Sequence, residues 1–286
     1  MKEIIDNIKS LTKNLDKVLK LLAKYNKSKE NLLDNAYLAE KNLTEITKLA
    51  DVLPPFPIKT SILNLINDEK EILEKAKDDF RFSFGEKLSD LFKKDGKTIK
   101  GQYPTLRVGM YTIKLNFEFG EAQLFFGPEV EKIKSKIPLN PTSIYDSITK
   151  FDKELNSEKI DPVELFKDFT EAYKRRLLLT GKIIGEKLPI IEVLNEFVFI
   201  KQPQKFFTDP KKENFRDYSR IKLSYLLYIL RKSNNAGKGL KFYVATFDAT
   251  GDKKNSIWIP DNDEGDGTYY SYISIETENK VREVLF

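Results

Sequence analysis

Apolar residues recur through the first part of the chain at Ile4, Ile8, Leu11, Leu15, Val18, Leu22 and Tyr25, in alternating steps of four and three. The same frame continues through Lys29, Leu32, Ala36, Ala39, Leu43, Ile46, Ala50 and Leu53. It runs for about seven heptads with one charged intruder, Lys29. A repeat of this period keeps one helix face turned to a partner, and Pro54, Pro55 and Pro57 end it. Two geometries satisfy the pattern. One is a continuous helix over Lys2–Leu53, about 75 Å long at 1.5 Å per residue. The other is an antiparallel hairpin turning at Asn26-Lys27-Ser28-Lys29, with Ser28 capping the second helix. The polar cluster and the lysine in the seam favour the hairpin. A third helix, Ile58–Phe80, carries Ile62, Leu65, Ile66, Ile72, Leu73 and Ala76 on one face, and a shorter one, Glu86–Lys94, follows. Residues 1–94 thus read as a coiled-coil or helical-bundle arm.

Asp95-Gly96-Lys97-Thr98, with Gly101 behind it, marks 95–103 as a linker. The period then switches to two. Tyr111, Ile113, Leu115, Phe117 and Phe119 alternate with polar residues, Gly120-Glu121 turns the chain, and Ala122–Phe126 returns, so Arg107–Phe126 predicts a hairpin. A helix capped by Thr142 or Ser143 carries Ile144, Ile148, Phe151 and Leu155. Another opens on Asp161-Pro162-Val163-Glu164 and runs to Leu179, with Gly181 as its C-cap. Leu194–Ile200 predicts a strand, and Asp217–Lys232 a helix apolar on nearly every side. Leu240–Phe247, Ser256–Ile259 and Tyr269–Ile275 complete an antiparallel meander. Helices and strands do not alternate regularly, so residues 104–286 read as an α+β domain rather than a doubly wound parallel sheet.

Composition narrows the chemistry. The 286 residues include no histidine and no cysteine. Serine or cysteine triads, structural zinc, haem-thiolate and iron–sulfur sites are therefore excluded. Carboxylate, lysine and hydroxyl chemistry, or none, is left. The excess of lysine over arginine, with abundant Ile and Asn, reads as the bias of an AT-rich, prokaryotic genome. The longest nearly apolar run, Leu223–Leu230, is far shorter than the roughly 20 residues a bilayer needs, and the first residues lack a signal-peptide core. A membrane-surface role for the arm is disfavoured by Glu3, Asp6 and Asp16 among its lysines. A cytoplasmic location is expected, with no membrane partner and no cofactor.

Candidate sites are few. Gly96-Lys97-Thr98 ends like a phosphate-binding loop, but Leu91 stands where the first glycine is required; Gly181–Gly185 and Gly237-Lys238-Gly239 also fail the spacing. The acidic run Asp261–Gly267 offers Asp261, Asp263 and Asp266 as weak cation ligands. Gly265 replaces an oxygen donor, and Tyr272 stands where a calcium loop needs a glutamate, so a solvated hairpin loop is the preferred reading. Asp248, with Asp252-Lys253-Lys254 in a turn, and the 261–266 loop are the only candidates for a magnesium-dependent phosphodiesterase or nuclease; Asp209-Pro210-Lys211 matches only by letter.

Charge is more informative. Lys201 to Lys241 holds eleven basic and three acidic residues, a net of +8, in a chain whose total is +5. Its candidates for nucleic-acid contact are Lys201, Lys205, Lys211, Lys212, Arg216, Arg220, Lys222 and Arg231. Phe206, Phe207, Phe215 and Tyr218 are interleaved with them, and cations beside stackable rings suit phosphates and bases. The resulting expectation is a non-catalytic binding or assembly protein. It self-associates or docks a partner protein through residues 1–94 and contacts nucleic acid through the basic segment. The alternatives are the magnesium-dependent enzyme and a purely protein-binding subunit.

Overall fold

The computed structural model describes residues 1–233 and 239–276. Lys238, part of the basic segment, lies outside them. The chain packs as two compact units. The first comprises Met1–Val108, Thr112–Leu124 and Lys132–Phe151; the second comprises Gly109–Tyr111, Phe125–Glu131 and the chain from Asp152 onward. Neither unit is bounded at residue 94 or 104. The architecture is α+β.

The first unit begins with α1 (Lys2–Lys29), α2 (Leu32–Asp51) and α3 (Pro57–Lys93). The heptad frame folds on itself: α1 packs on α2, and α2 on α3. Val18, Tyr25, Leu43, Ile46, Ile62, Ile66 and Leu73 share one core. The break falls at Glu30-Asn31, later than the polar cluster suggested. Ser28 stays inside α1, where its hydroxyl donates to the Lys24 carbonyl at 3.0 Å rather than capping α2. Lys29 tolerates its seam position because it meets the Glu69 carboxylate of α3. The two helices expected over Ile58–Phe80 and Glu86–Lys94 are one helix of 37 residues. Phe80, Phe84, Leu88 and Phe92 recur every fourth residue on its buried face. Phe84 meets Phe117 edge-on at 5.9 Å, and Phe92 meets Tyr145 at 5.2 Å.

The predicted linker contains a strand. β1 (Ile99–Gln102), β2 (Thr105–Val108), β3 (Tyr111–Asn116), β4 (Glu121–Phe126) and β5 (Glu131–Pro138) form an antiparallel sheet in sequential order. Both edges are short or charged, which hid them from the hydrophobic pattern. β1 is mostly exposed, and β5 alternates Ile133 and Ile137 with Lys132, Lys134 and Lys136. Edge lysines of this kind discourage pairing with other chains. In α4 (Pro141–Leu155) the cap is Asn140, whose side chain accepts from the Ser143 amide at 3.1 Å, rather than Thr142 or Ser143.

The second unit holds α5 (Pro162–Thr180), whose Asp161 cap and left-handed Gly181 stop fall where the sequence placed them. Next come β6 (Leu188–Pro189) and α6 (Ile190–Ile200). The strand expected at Leu194–Ile200 is therefore helix. Ile190, Val193, Leu194 and Phe197 fall at helical spacing and bury against α5, where Phe197 stacks on Phe169 at 4.1 Å. After α7 (Gln204–Thr208) and a 3-10 turn comes α8 (Arg220–Lys232), capped by Ser219. β7 (Leu240–Val244), α9 (Phe247–Thr250), β8 (Ile257–Pro260) and β9 (Gly267–Ile275) follow.

The second sheet is not a meander, because β7 pairs with β9 rather than β8. Tyr270 opposes both Val244 and Ile257, and Ile273 opposes both Phe242 and Leu188, so β9 is central with β7 on one side and β8 and β6 on the other. Helices α5, α6 and α8 cover this sheet, around Leu177, Leu226, Leu227, Leu230 and Ile259. Among the described residues, no helix is long and apolar enough to cross a membrane.

Candidate nucleic-acid interface

The structure separates the eight basic candidates into two groups. Lys201, Lys205, Lys211, Lys212 and Arg216 lie on the excursion joining α6 to α8. Arg220, Lys222 and Arg231 lie on α8, and eleven residues of helix, about 16 Å at 1.5 Å per residue, part Arg220 from Arg231.

Most of these charges are answered within the second unit. Lys201 pairs with Asp168 at 2.7 Å, Lys211 with Asp209 at 2.9 Å, and Arg231 with Asp261 at 2.6 Å. Arg216 and Lys222 converge on Glu158. Partial burial opposes the Glu158 charge, but the two cations outweigh it and hold its carboxyl below the usual range. Arg220 is the most tightly held. Its Nε donates to Glu131 at 2.9 Å, one Nη to the Lys253 carbonyl at 2.8 Å, and the other to the Ser256 carbonyl at 2.7 Å. Carboxylates drawn from outside the basic segment thus neutralise much of its +8. Tyr218 is likewise engaged: Arg216 and Lys222 lie 5.5 and 5.2 Å from its ring centre, and its edge meets Phe197. Among the described residues, Lys205 and Lys212 have no carboxylate partner.

The excursion is closed at its neck by a buried amide. Gln202 Nε2 donates to the Val198 and Arg216 carbonyls at 2.8 and 3.1 Å, while its Oε1 accepts from the Arg216 amide at 2.8 Å. Asn214 Nδ2 braces the interior by donating to the Asp209 carbonyl at 2.8 Å. Both amides are buried, so their hydrogen bonds hold the loop firmly. The loop presents a chain of edge-to-face rings: Phe199 to Phe207 at 5.2 Å, Phe207 to Phe206 at 5.7 Å, and Phe206 to Phe215 at 5.7 Å. Phe199, Phe207 and Phe215 are 49, 45 and 43 % exposed. Three half-exposed phenyl rings, linked through Phe206, form a patch of the kind that marks interaction sites. The sequence missed Phe199, Gln202 and Asn214. Phe199 sat in the supposed strand, and no local pattern distinguishes an amide that will be buried.

The acidic loop is a hairpin turn between β8 and β9, closed by the Asp261 amide on the Asp266 carbonyl at 2.7 Å. Asp261 accepts from Arg231 and from Thr268, and Asp266 from the Asn262 side chain at 3.0 Å. Asp263 accepts from Lys232 and Tyr228, and these hydrogen bonds hold its carboxyl below the ordinary range. Among the described residues, no three carboxylates are grouped to share a cation. Asp248 lies on α9, and Asp252 caps its own turn by accepting from the Lys254 amide and the Asn255 side chain. A void of water size lies beside Arg220, Glu131, Ser224 and Trp258. Comparison with protein-family models, curated proteins and solved structures finds no match to this chain.

Proposed function

We propose that the chain is a non-catalytic binding and assembly protein, and that its nucleic-acid contact is the 203–215 loop together with Phe199, rather than the whole basic segment. The observation that carries this reading is the row of half-exposed rings on a braced loop that also carries Lys205 and Lys212, which have no carboxylate partner among the described residues. Rings stack on bases of any sequence, while Lys205 and Lys212 neutralise phosphates. The ligand is then a single strand with splayed bases, read without base specificity.

The test is fluorescence anisotropy with single-stranded and duplex oligonucleotides across a salt series. Two phosphate contacts predict a slope of log K against log salt of about −1.4 for a single strand, whereas eight would give about −5.6. Phe207→Ala weakens single-strand binding about tenfold. No binding at high micromolar protein, or affinity unchanged by Phe207→Ala, overturns the reading and leaves the protein-binding alternative.

A further inference from the structure

We propose that α1 carries a self-association site at its start, and that its occupant is the same segment of a second copy, running antiparallel. This deepens the assembly half of the reading above and rests on it.

α1 has 28 residues and α2 has 20, joined by only two, so α1 runs past the end of α2 by eight residues, about 12 Å. Residues 2–10 are all exposed. Yet the heptad frame does not stop where the partner helices stop. Leu11, Leu15, Val18 and Tyr25 pack into the bundle, and Ile8 and Ile4 continue the same seam but, among the described residues, stay exposed outside that core. Ile4, Ile5 and Ile8 are 61, 44 and 58 % exposed. At the bundle end beneath them, where α2 stops and α3 starts, Val52 and Ile58 are also exposed. The open seam thus continues an interface the fold already uses.

Geometry selects the occupant. From Leu11 onward the seam face of α1 is filled by the bundle. A helix lying on the open seam must therefore end at that level, which excludes a parallel copy: its own bundle would collide there. An antiparallel copy has an overhang of matching length, and its bundle points away. With residue 6 near the two-fold axis, Ile4 of each copy layers against Ile8 of the other, the a–d arrangement of antiparallel coils. Lys2, Glu3, Asp6 and Lys9 carry no net charge, so side-chain charge does not hold the copies apart. Five large apolar side chains per copy fit a weak dimer, below the roughly 1,200 Å² of stable interfaces.

Sedimentation equilibrium of the full chain over a wide concentration range should show monomer–dimer exchange. Ile4→Glu with Ile8→Glu should abolish it at unchanged circular dichroism, because both residues are exposed. The chain has no cysteine, so single variants report orientation: Ile4→Cys and Ile8→Cys should crosslink when mixed and not when alone. A monomer at every concentration, a dimer that survives the double variant, or crosslinking of each cysteine variant by itself overturns the proposal. A dimer that binds no oligonucleotide removes only the loop reading; a monomer that binds one removes only this.

Discussion

The Tyr25 hydroxyl donates to the Glu69 carboxylate at 2.8 Å, tying α1 to α3 across 44 residues of sequence. Lys29 takes the other carboxylate oxygen, and Asn42 of α2 approaches Ser28 at 3.5 Å in the same layer. A polar layer inside an otherwise apolar bundle fixes which helices meet and in what register. Glu69→Ala leaves the buried Tyr25 hydroxyl without its acceptor and should cost about 1–3 kcal/mol in urea unfolding. Glu69→Gln keeps an acceptor and should cost less. Equal costs for the two variants would mean that the hydrogen bond to Tyr25 contributes nothing.

The same carboxylate contributes to an acid limit. Burial opposes the Glu69 charge, but the Lys29 and Tyr25 hydrogen bonds and the Lys29 charge together hold its pKa below normal; Asp34, beside Lys87, is held down in the same way. A depressed folded-state pKa contributes stability above the unfolded value, about 4, and loses it as pH falls through the folded value. Burial raises the phenols of Tyr25 and Tyr111, so stability also falls as pH rises beyond about 10. With no histidine or cysteine to titrate between them, unfolding free energy should be flat from about pH 6 to 9. A step within that window in a pH series of urea unfolding would contradict this.

Arg220 and Lys212 should separate structure from binding. Arg220→Lys loses the forked contacts to Glu131, Lys253 and Ser256 and should cost about 2–3 kcal/mol of stability, with oligonucleotide affinity of the folded protein unchanged. Lys212→Ala should do the reverse. If Arg220→Lys weakens binding while leaving stability intact, Arg220 is a contact residue and not a brace.

The single tryptophan, Trp258, is buried, and its ring lies against the backbone of both Gly127 and Gly267. A Cβ at position 267 would stand 2.3 Å from the indole. Gly267→Ala should therefore displace the ring from its edge-on contact with Phe126 and cost about 1–3 kcal/mol, with a red shift in tryptophan emission. Unshifted emission would mean that the ring does not depend on that glycine.

Local rules read well where one element answers to its own sequence. The heptad frame, the Asp161-Pro162 start, the Gly181 stop and the alternation of Tyr111, Ile113 and Leu115 are carried by neighbouring residues, because caps, glycine stops and burial faces are set within a turn or a strand. The exclusion of histidine and cysteine chemistry needs no structure at all. Edge strand β1 escaped because it is short and exposed, and β5 because Ile133 and Ile137 are its only apolar residues before Pro138 among charged and polar ones, too few to stand out as a strand. Leu194–Ile200 escaped because β-rich residues form a helix when their spacing lets them bury against α5.

What the tertiary structure alone decided is where charges and rings end up. The sequence determines that residues 201–241 carry +8. Only packing brings Glu131, Glu158, Asp168 and Asp261 against them, since each partner lies 30 or more residues away. Likewise the sequence determines a seam from Ile4 to Leu53, but the turn at Glu30-Asn31 decides that most of it is buried within one chain and that Ile4 and Ile8 are left outside. Ion pairs and helix returns depend on distances in space, and no spacing along the chain encodes these.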